Sequence, residues 1–388
     1  MTSKRYLDIA AFAVFIGLIM LAPLVMDEFW LNRFAKYLVF GMLGVAIALS
    51  WGYAGILNLG QGLFFGLGAY MVAMSLKLAS TTSLEQGSDA PVPDFMLWNA
   101  EPGAKTDLCC INKGSFLWIP FQSEWFGVVM AIVVPTVIAG ILGTIVFRQR
   151  IAGVFVSIIT LSLVLLVRLL VIDAQPVTNG FNGLTDLGWF TVGDLVFDPY
   201  SVATYYLVAV ALTLVLGLTR LLVETRAGLI LQAIRDDQNR VRYLGFDVPM
   251  YQIFFFAVSA AIAGLAGMLY VVVAEFASPT FMDLAFSITM VVWAAVGGRA
   301  SLLGACIGAI LINMTEATVS ETKAFVEAWK AIIGLIFILV VLFLPRGLAG
   351  FASDVADRVL QRFTKVSRPG RAEQASESVA RVQHGRAR

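Results

Sequence analysis

Charge is scarce in this chain. Asp, Glu, Lys and Arg make up 14% of its 388 residues and apolar residues 59%, at a mean hydropathy of +0.84. Soluble domains average about 25% charged and about 45–50% apolar, so a soluble domain is excluded. Histidine occurs once, at His384, and cysteine three times, at Cys109, Cys110 and Cys306. No Cys/His spacing suits a metal, and no disulfide framework can form beyond a vicinal Cys109–Cys110 pair. No GxxxxGK[ST] loop is present, so the chain has no standard cradle for ATP phosphates. No dyad, His cluster or nucleophile beside a base lies in an apolar run, which speaks against an enzyme. The net charge of +1 is no argument for nucleic acid binding, because the charges segregate along the chain.

What remains is long apolar runs. They are continuous rather than the alternating, roughly ten-residue segments of a membrane β-barrel. Several reach the roughly 20 residues that cross a bilayer. The fold class is therefore an all-α polytopic membrane protein with about ten transmembrane helices. The segments read as 9–26, 37–51, 60–78, 125–147, 151–173, 201–222, 251–275, 284–297, 301–315 and 329–345. The first follows Lys4 and Arg5 but is too long for a signal-peptide core and lacks a small-residue cleavage site, so it reads as a retained helix. With the N-terminus inside, inner connections hold nineteen Lys and Arg against seven outside, which places both termini in the cytoplasm.

Residues 1–345 read as one transmembrane domain with three long connections. Two are outer loops, 79–124 and 174–200; the third, 223–250, is inner, basic and helical. The tail 346–388 reads as cytoplasmic and basic. In it Phe351, Val355, Val359 and Phe363 recur every fourth residue, as in a short amphipathic helix at the headgroup level, and the rest has the composition of disorder.

The stretch GYAGILNLGQGLFFGLGAY, 52–70, places six glycines in nineteen residues. Its glycines break a helix near the midplane, where irregular backbone is tolerated only against protein or a water-filled cavity. Asn58, Gln61, Phe64 and Phe65 are candidates for a solute path there, with Trp293, Asn313 and Thr315 further on. Each has a plainer alternative, a polar group bonded to a neighbouring helix or an aromatic filling the bundle. Gly62/Gly66, Gly304/Gly308, and Gly264 and Gly267 with Ala260 and Ala263 form small-xxx-small patterns that allow close helix contact. An echo between Trp51-GYAG and Trp293-AAVGG hints at an inverted repeat. Arg168 lies one helical turn from Asp173, its nearest counter-ion in sequence.

The inner stretch ETRAGLILQAIRDDQNRVRYLGFDVPMYQ predicts a helix from Leu229 to Tyr243, entered near Gly228 and stopped at Leu244–Gly245. A helix lying on the membrane and a lever docked to a partner both fit it. AGLILQAIRDDQNRVRYLGFDVPMYQIFFFAVSAAIAGLAGMLY resembles the coupling region of membrane subunits in bacterial ABC importers for branched-chain amino acids and urea. FASPTFMDLAFSITMVVWAAVGGRASLLGACIGA and SWGYAGILNLGQGLFFGLGAY are similar to other parts of that family, so the resemblance spans most of 37–345.

The resemblance implies a bacterial inner-membrane subunit without a cofactor of its own. Its partners would be a second, homologous membrane subunit, two cytoplasmic ATPases that bind ATP, and an extracytoplasmic solute-binding protein. Gly228, Ala233, Ile234, Arg235, Asp236, Asp237, Leu244 and Gly245 would face the ATPase. VTNGFNGLTDL and the insertion PDFMLWNAEPGAK resemble the urea branch, which predicts urea or a small amide as solute, with branched-chain or hydrophobic amino acids as the alternative. A stand-alone channel or secondary transporter fits less well, because carboxylates within the spans are sparse. Asn179 departs from the urea pattern, which has glycine there.

Overall fold

In the computed structural model, residues 2–80, 118–151 and 153–321 are described, with 334, 335, 338, 342, 347–351 and 353 beyond them. The first helices in chain order are α1 (Thr2–Leu21), α2 (Glu28–Ile47), α3 (Gln61–Ser80), α4 (Glu124–Arg148) and α5 (Val154–Asp173). A two-stranded hairpin, β1 (Phe190–Val192) and β2 (Leu195–Phe197), precedes α6 (Val202–Glu224). Then come α7 (Arg226–Asp236), α8 (Gln238–Tyr243), α9 (Val248–Ala274), α10 (Leu284–Gly297) and α11 (Leu302–Glu321). Among the described residues seven helices are long and apolar enough to cross a membrane, and Ile9–Leu24 and Leu284–Gly297 are shorter apolar helices. The expected segment 329–345, the cysteines at 109 and 110, and the amphipathic tail lie mostly or wholly outside the described residues.

Burial sorts these helices. The apolar window of α3 is 78% buried against 22% for α5, so α3 is central and α5 peripheral. α9 packs on α4, α3 and α2, while α2 also packs on α11 and α6. On α4, Val129, Val133, Val137, Ile141 and Ile145 form an exposed stripe four residues apart, one face of a helix turned to lipid.

Close backbone approach explains the glycines. A Cβ at Gly62 would lie 2.6 Å from both the Phe281 carbonyl and Ser287 Oγ, and one at Gly66 would meet Met282. Gly264 abuts the Ala131 carbonyl beside Pro135, Gly267 the Phe65 carbonyl, Gly304 the Gly297 carbonyl, and Gly308 the Gly297 backbone. With no hydrophobic drive between helices in lipid, such approaches supply dispersion contact instead.

Two sequence expectations need correction. The stretch Leu229–Tyr243 is not one helix: Asp237 leaves the helical region (φ −156°, ψ 102°) and caps α8. Its Oδ1 accepts from the Asn239 and Arg240 amides at 3.0 and 3.2 Å, the local bond by which Asp competes with helix continuation. Arg168 pairs with Asp283, Nε to Oδ1 at 2.5 Å, rather than with Asp173; tertiary contact overrides sequence proximity. Asn179 also has its explanation, since it sits at φ +60° before Gly180 at φ +57°, a left-handed pair in which Asn is the best substitute for glycine.

Candidate functional site

The described residues divide into two ends. The connection between α2 and α3 is at one end, together with α7 and the Gly298–Arg299 turn. The other end holds the start of α2, the hairpin loop and the close of α9. There Asn32 Nδ2 donates to the Pro199 and Val273 carbonyls at 2.7 and 3.0 Å. An antiparallel bridge also joins Leu184 to Ala277.

At its C-terminus α2 widens into a π-type turn over Ala48–Tyr53. The Ala54 amide reaches back to Leu49 and the Ile56 amide to Ser50. Gly55 is left-handed (φ +71°), and a Cβ at Gly52 would overlap the Arg299 carbonyl. The chain then runs without helix to Gln61. Ser259, eleven residues and so about 16 Å into α9, contacts this run, which therefore lies within the membrane span.

Its polar groups are met by protein. Asn58 Oδ1 accepts from the Gly60 amide at 2.9 Å, and Asn58 Nδ2 donates to Gln61 Oε1 at 2.6 Å. Gln61 Nε2 donates to the Ser259 carbonyl at 3.1 Å and to its Oγ at 3.3 Å. Ser259 Oγ in turn donates to the Ala46 carbonyl at 2.7 Å. From α5, Thr160 Oγ1 accepts from the Leu59 amide at 3.2 Å and Ser157 Oγ donates to the Leu57 carbonyl at 2.7 Å. A chain of bonds thus ties α2, α9 and α5 to the break, and both amides are buried.

Phe64 packs edge-on against Phe256. Phe65 joins Tyr270, Phe281 and Phe286, and Trp293 joins Phe40 and Phe286. One aromatic cluster therefore unites Phe65 and Trp293, which the sequence names separately. Two atoms at its edge, Ser287 Oγ and Trp293 Nε1, are buried without a hydrogen-bond partner. Asn313 and Thr315 are elsewhere, on α11: Asn313 Nδ2 donates to Ala309 and Thr315 Oγ1 to Leu311, within their own helix. The sequence reading misses Ser157, Thr160, Ser259 and Ser287; the only signal is Ser157 and Thr160 three apart on an apolar helix, one face of it.

α7 sits against the break. Thr225 caps it, accepting from the Gly228 amide at 3.3 Å, and Leu231 and Ile234 are buried. Ile234 packs with Val241 and Val248. Arg235 Nη1 donates to the Gly52 carbonyl at 2.6 Å, and its stem lies where a Gly55 side chain would stand. Arg299 stacks over the Trp51 ring at 4.9 Å. On the outer side of this layer Ala233, Asp236, Leu244 and Gly245 are exposed. So are Tyr243, at 92%, and Leu244, at 75%.

A family described as "Branched-chain amino acid transport system / permease component" matches residues 29–341. The chain belongs to that family. This permease is 25% identical to the high-affinity branched-chain amino acid transport system permease protein LivM of Escherichia coli, over 80% of this chain and 68% of the relative. It is 31% identical to a probable branched-chain amino acid transport permease protein LivH of Methanocaldococcus jannaschii, over 36% of this chain and 46% of the relative. The ribose import permease protein RbsC of Haemophilus influenzae is 23% identical, over 47% and 57%. No solved structure matches the permease. It is a multi-pass membrane protein of the transport-permease kind.

Proposed function

We propose that this permease is the membrane-spanning subunit of an ATP-driven importer for branched-chain or other hydrophobic amino acids. The observation that carries the reading is the family match over nearly all of the transmembrane region, 29–341, with a relative named for branched-chain amino acids along most of its length. The relatives are named for branched-chain amino acids, ribose and fructose, so the urea expectation drawn from VTNGFNGLTDL yields to its alternative.

The partners follow from that reading: a homologous second membrane subunit, two ATPases and an extracytoplasmic binding protein. ATP would be spent on the partners, and the α7–α8 layer supports this. One side of it packs on the membrane bundle and grips the break through Arg235. The other exposes Tyr243 and Leu244, large apolar groups that a cytoplasmic protein could cover. Both termini would be cytoplasmic, which reporter fusions at each end would check.

The deciding experiment reconstitutes the complex with the proteins encoded beside it and follows labelled leucine and labelled urea into vesicles. ATP-dependent leucine uptake with no urea uptake is the expected result. Urea uptake without leucine would restore the other branch, and leucine uptake without any ATPase would make this a stand-alone carrier.

A further inference from the structure

At the end of the bundle opposite α7, a cleft of about 420 Å³ opens between the start of α2 and the close of α11, within the size range of small-molecule sites. Its walls are Trp30, Phe34 and Tyr37 on one side and Met314 on the other, and its charges are Asp27, Arg33 and Glu321.

Arg33 is held unusually well for a residue at the mouth of a cleft. Its guanidinium carbon lies 5.6 Å from the Phe29 ring centre and 5.5 Å from that of Trp30, and its side chain is 20% exposed. Both terminal nitrogens donate to the Glu321 carboxylate, one to each oxygen. Glu321 is more exposed, at 57%. A planar fork fixed by aromatic rings is built to take a carboxylate on two bonds. Here the carboxylate it holds belongs to an exposed glutamate. Asp27 caps no amide of α2 with its side chain, so a second acid stands at the same cleft.

We propose that this cleft binds a free amino acid, whose α-carboxylate displaces Glu321 from Arg33. The released Glu321, with Asp27, receives the α-ammonium, and the hydrophobic side chain lies against Trp30, Phe34 and Met314. The site is a receiving station on the face opposite the α7–α8 layer. The assignment rests on the amino-acid reading above, and it deepens that reading by naming which atoms read the ligand's two charges. An ethanolamine phospholipid joins an anion to a primary ammonium in the same way, so the test must separate the two sources.

The experiment uses the full chain, in complex with its membrane partner, in phosphatidylcholine nanodiscs with and without ethanolamine phospholipid. Binding of labelled leucine and of 4-methylpentanoate, its analogue without the amino group, is measured beside ATP-driven leucine uptake by the whole system. Arg33→Gln should weaken leucine binding about tenfold or more, and Arg33→Lys, which keeps charge but loses the fork, by less. Glu321→Gln should act in opposite directions: it frees Arg33 and so tightens 4-methylpentanoate several-fold, while weakening leucine. A purely structural ion pair cannot split the two ligands that way.

Leucine binding unchanged in a well-folded Arg33→Gln variant overturns the proposal, as does equal weakening of both ligands by Glu321→Gln. Should Arg33→Gln fail to fold, the Glu321→Gln comparison decides alone. No leucine binding, together with an ethanolamine-lipid stabilisation that Arg33→Gln removes, makes this a lipid site instead. Leucine uptake that persists through any of these failures leaves the transport reading intact, whereas absence of leucine uptake condemns that reading itself.

Discussion

At the scale of single residues, two amides explain how a polar, glycine-rich stretch survives inside a bilayer. Asn58 and Gln61 close an unbroken series of bonds, through Ser259 Oγ, from the Gly60 amide to the Ala46 carbonyl. Hydrogen bonds between membrane helices are worth roughly 0.6 kcal/mol on average and up to about 1.7. Gln61→Leu, which strands the Asn58 amide and removes the tie to Ser259, should therefore destabilise the protein by about 1–2 kcal/mol in a denaturant titration, and uptake should fall with it. A variant as stable as the parent would mean that the amide is not part of the staple. Arg235 is the second informative residue, because its partner, the Gly52 carbonyl, is 183 positions away. Reversing the charges of Arg235 and Asp237 removes this grip and the α8 cap together. Solute-stimulated ATPase activity should be lost while the chain still inserts in the membrane. Unchanged transport in the double variant would remove α7 from the coupling route.

Elements show what a sequence can and cannot disclose. Nine of the apolar segments read from hydropathy lie over helices of the structure, and 284–297 coincides with α10. Hydropathy sees spans because a bilayer demands them. The place where α2 gives way is legible too, since Gly52, Gly55 and Gly60 are the residues that let backbone approach backbone or turn left-handed. How that break is satisfied is not legible: Ser157, Thr160 and Ser259 are ordinary small residues until the fold aims them. The split of α7 from α8 is hidden for a different reason. Good helix formers surround Asp237, and only the cap it makes ends the first helix. Arg168 had two acids in reach and takes the distant one. At this scale the test is Gly62→Leu, whose side chain would run into the Phe281 carbonyl and Ser287 at the seam of α3 and α10. The variant should accumulate poorly and purify without its membrane partner. Ordinary expression and uptake would mean that α3 can shift at no consequence.

For the whole molecule, the arrangement is a bundle with different equipment at its two ends. One end carries the layer of α7 and α8, tied to the break in α2 through Arg235. The other carries the hairpin and the aromatic cleft around Arg33. α2 runs from the cleft to the break as one element of 26 residues with its π-type turn, about 39 Å at helical rise. It is thus a single body joining the proposed amino-acid station to the proposed ATPase contact. The charges also have an electrical consequence. Arg33 with Glu321 and Arg168 with Asp283 are neutral pairs. Moving one elementary charge across a membrane held at 100 mV is worth about 2.3 kcal/mol. Charges that move as such neutral pairs, with a solute of no net charge, couple to that field only weakly. Leucine uptake at saturating ATP should hence proceed at the same rate in vesicles clamped at zero and at about 100 mV of either sign. The importer would then run on the phosphorylation state of the cell alone, deaf to the voltage across the membrane that holds it.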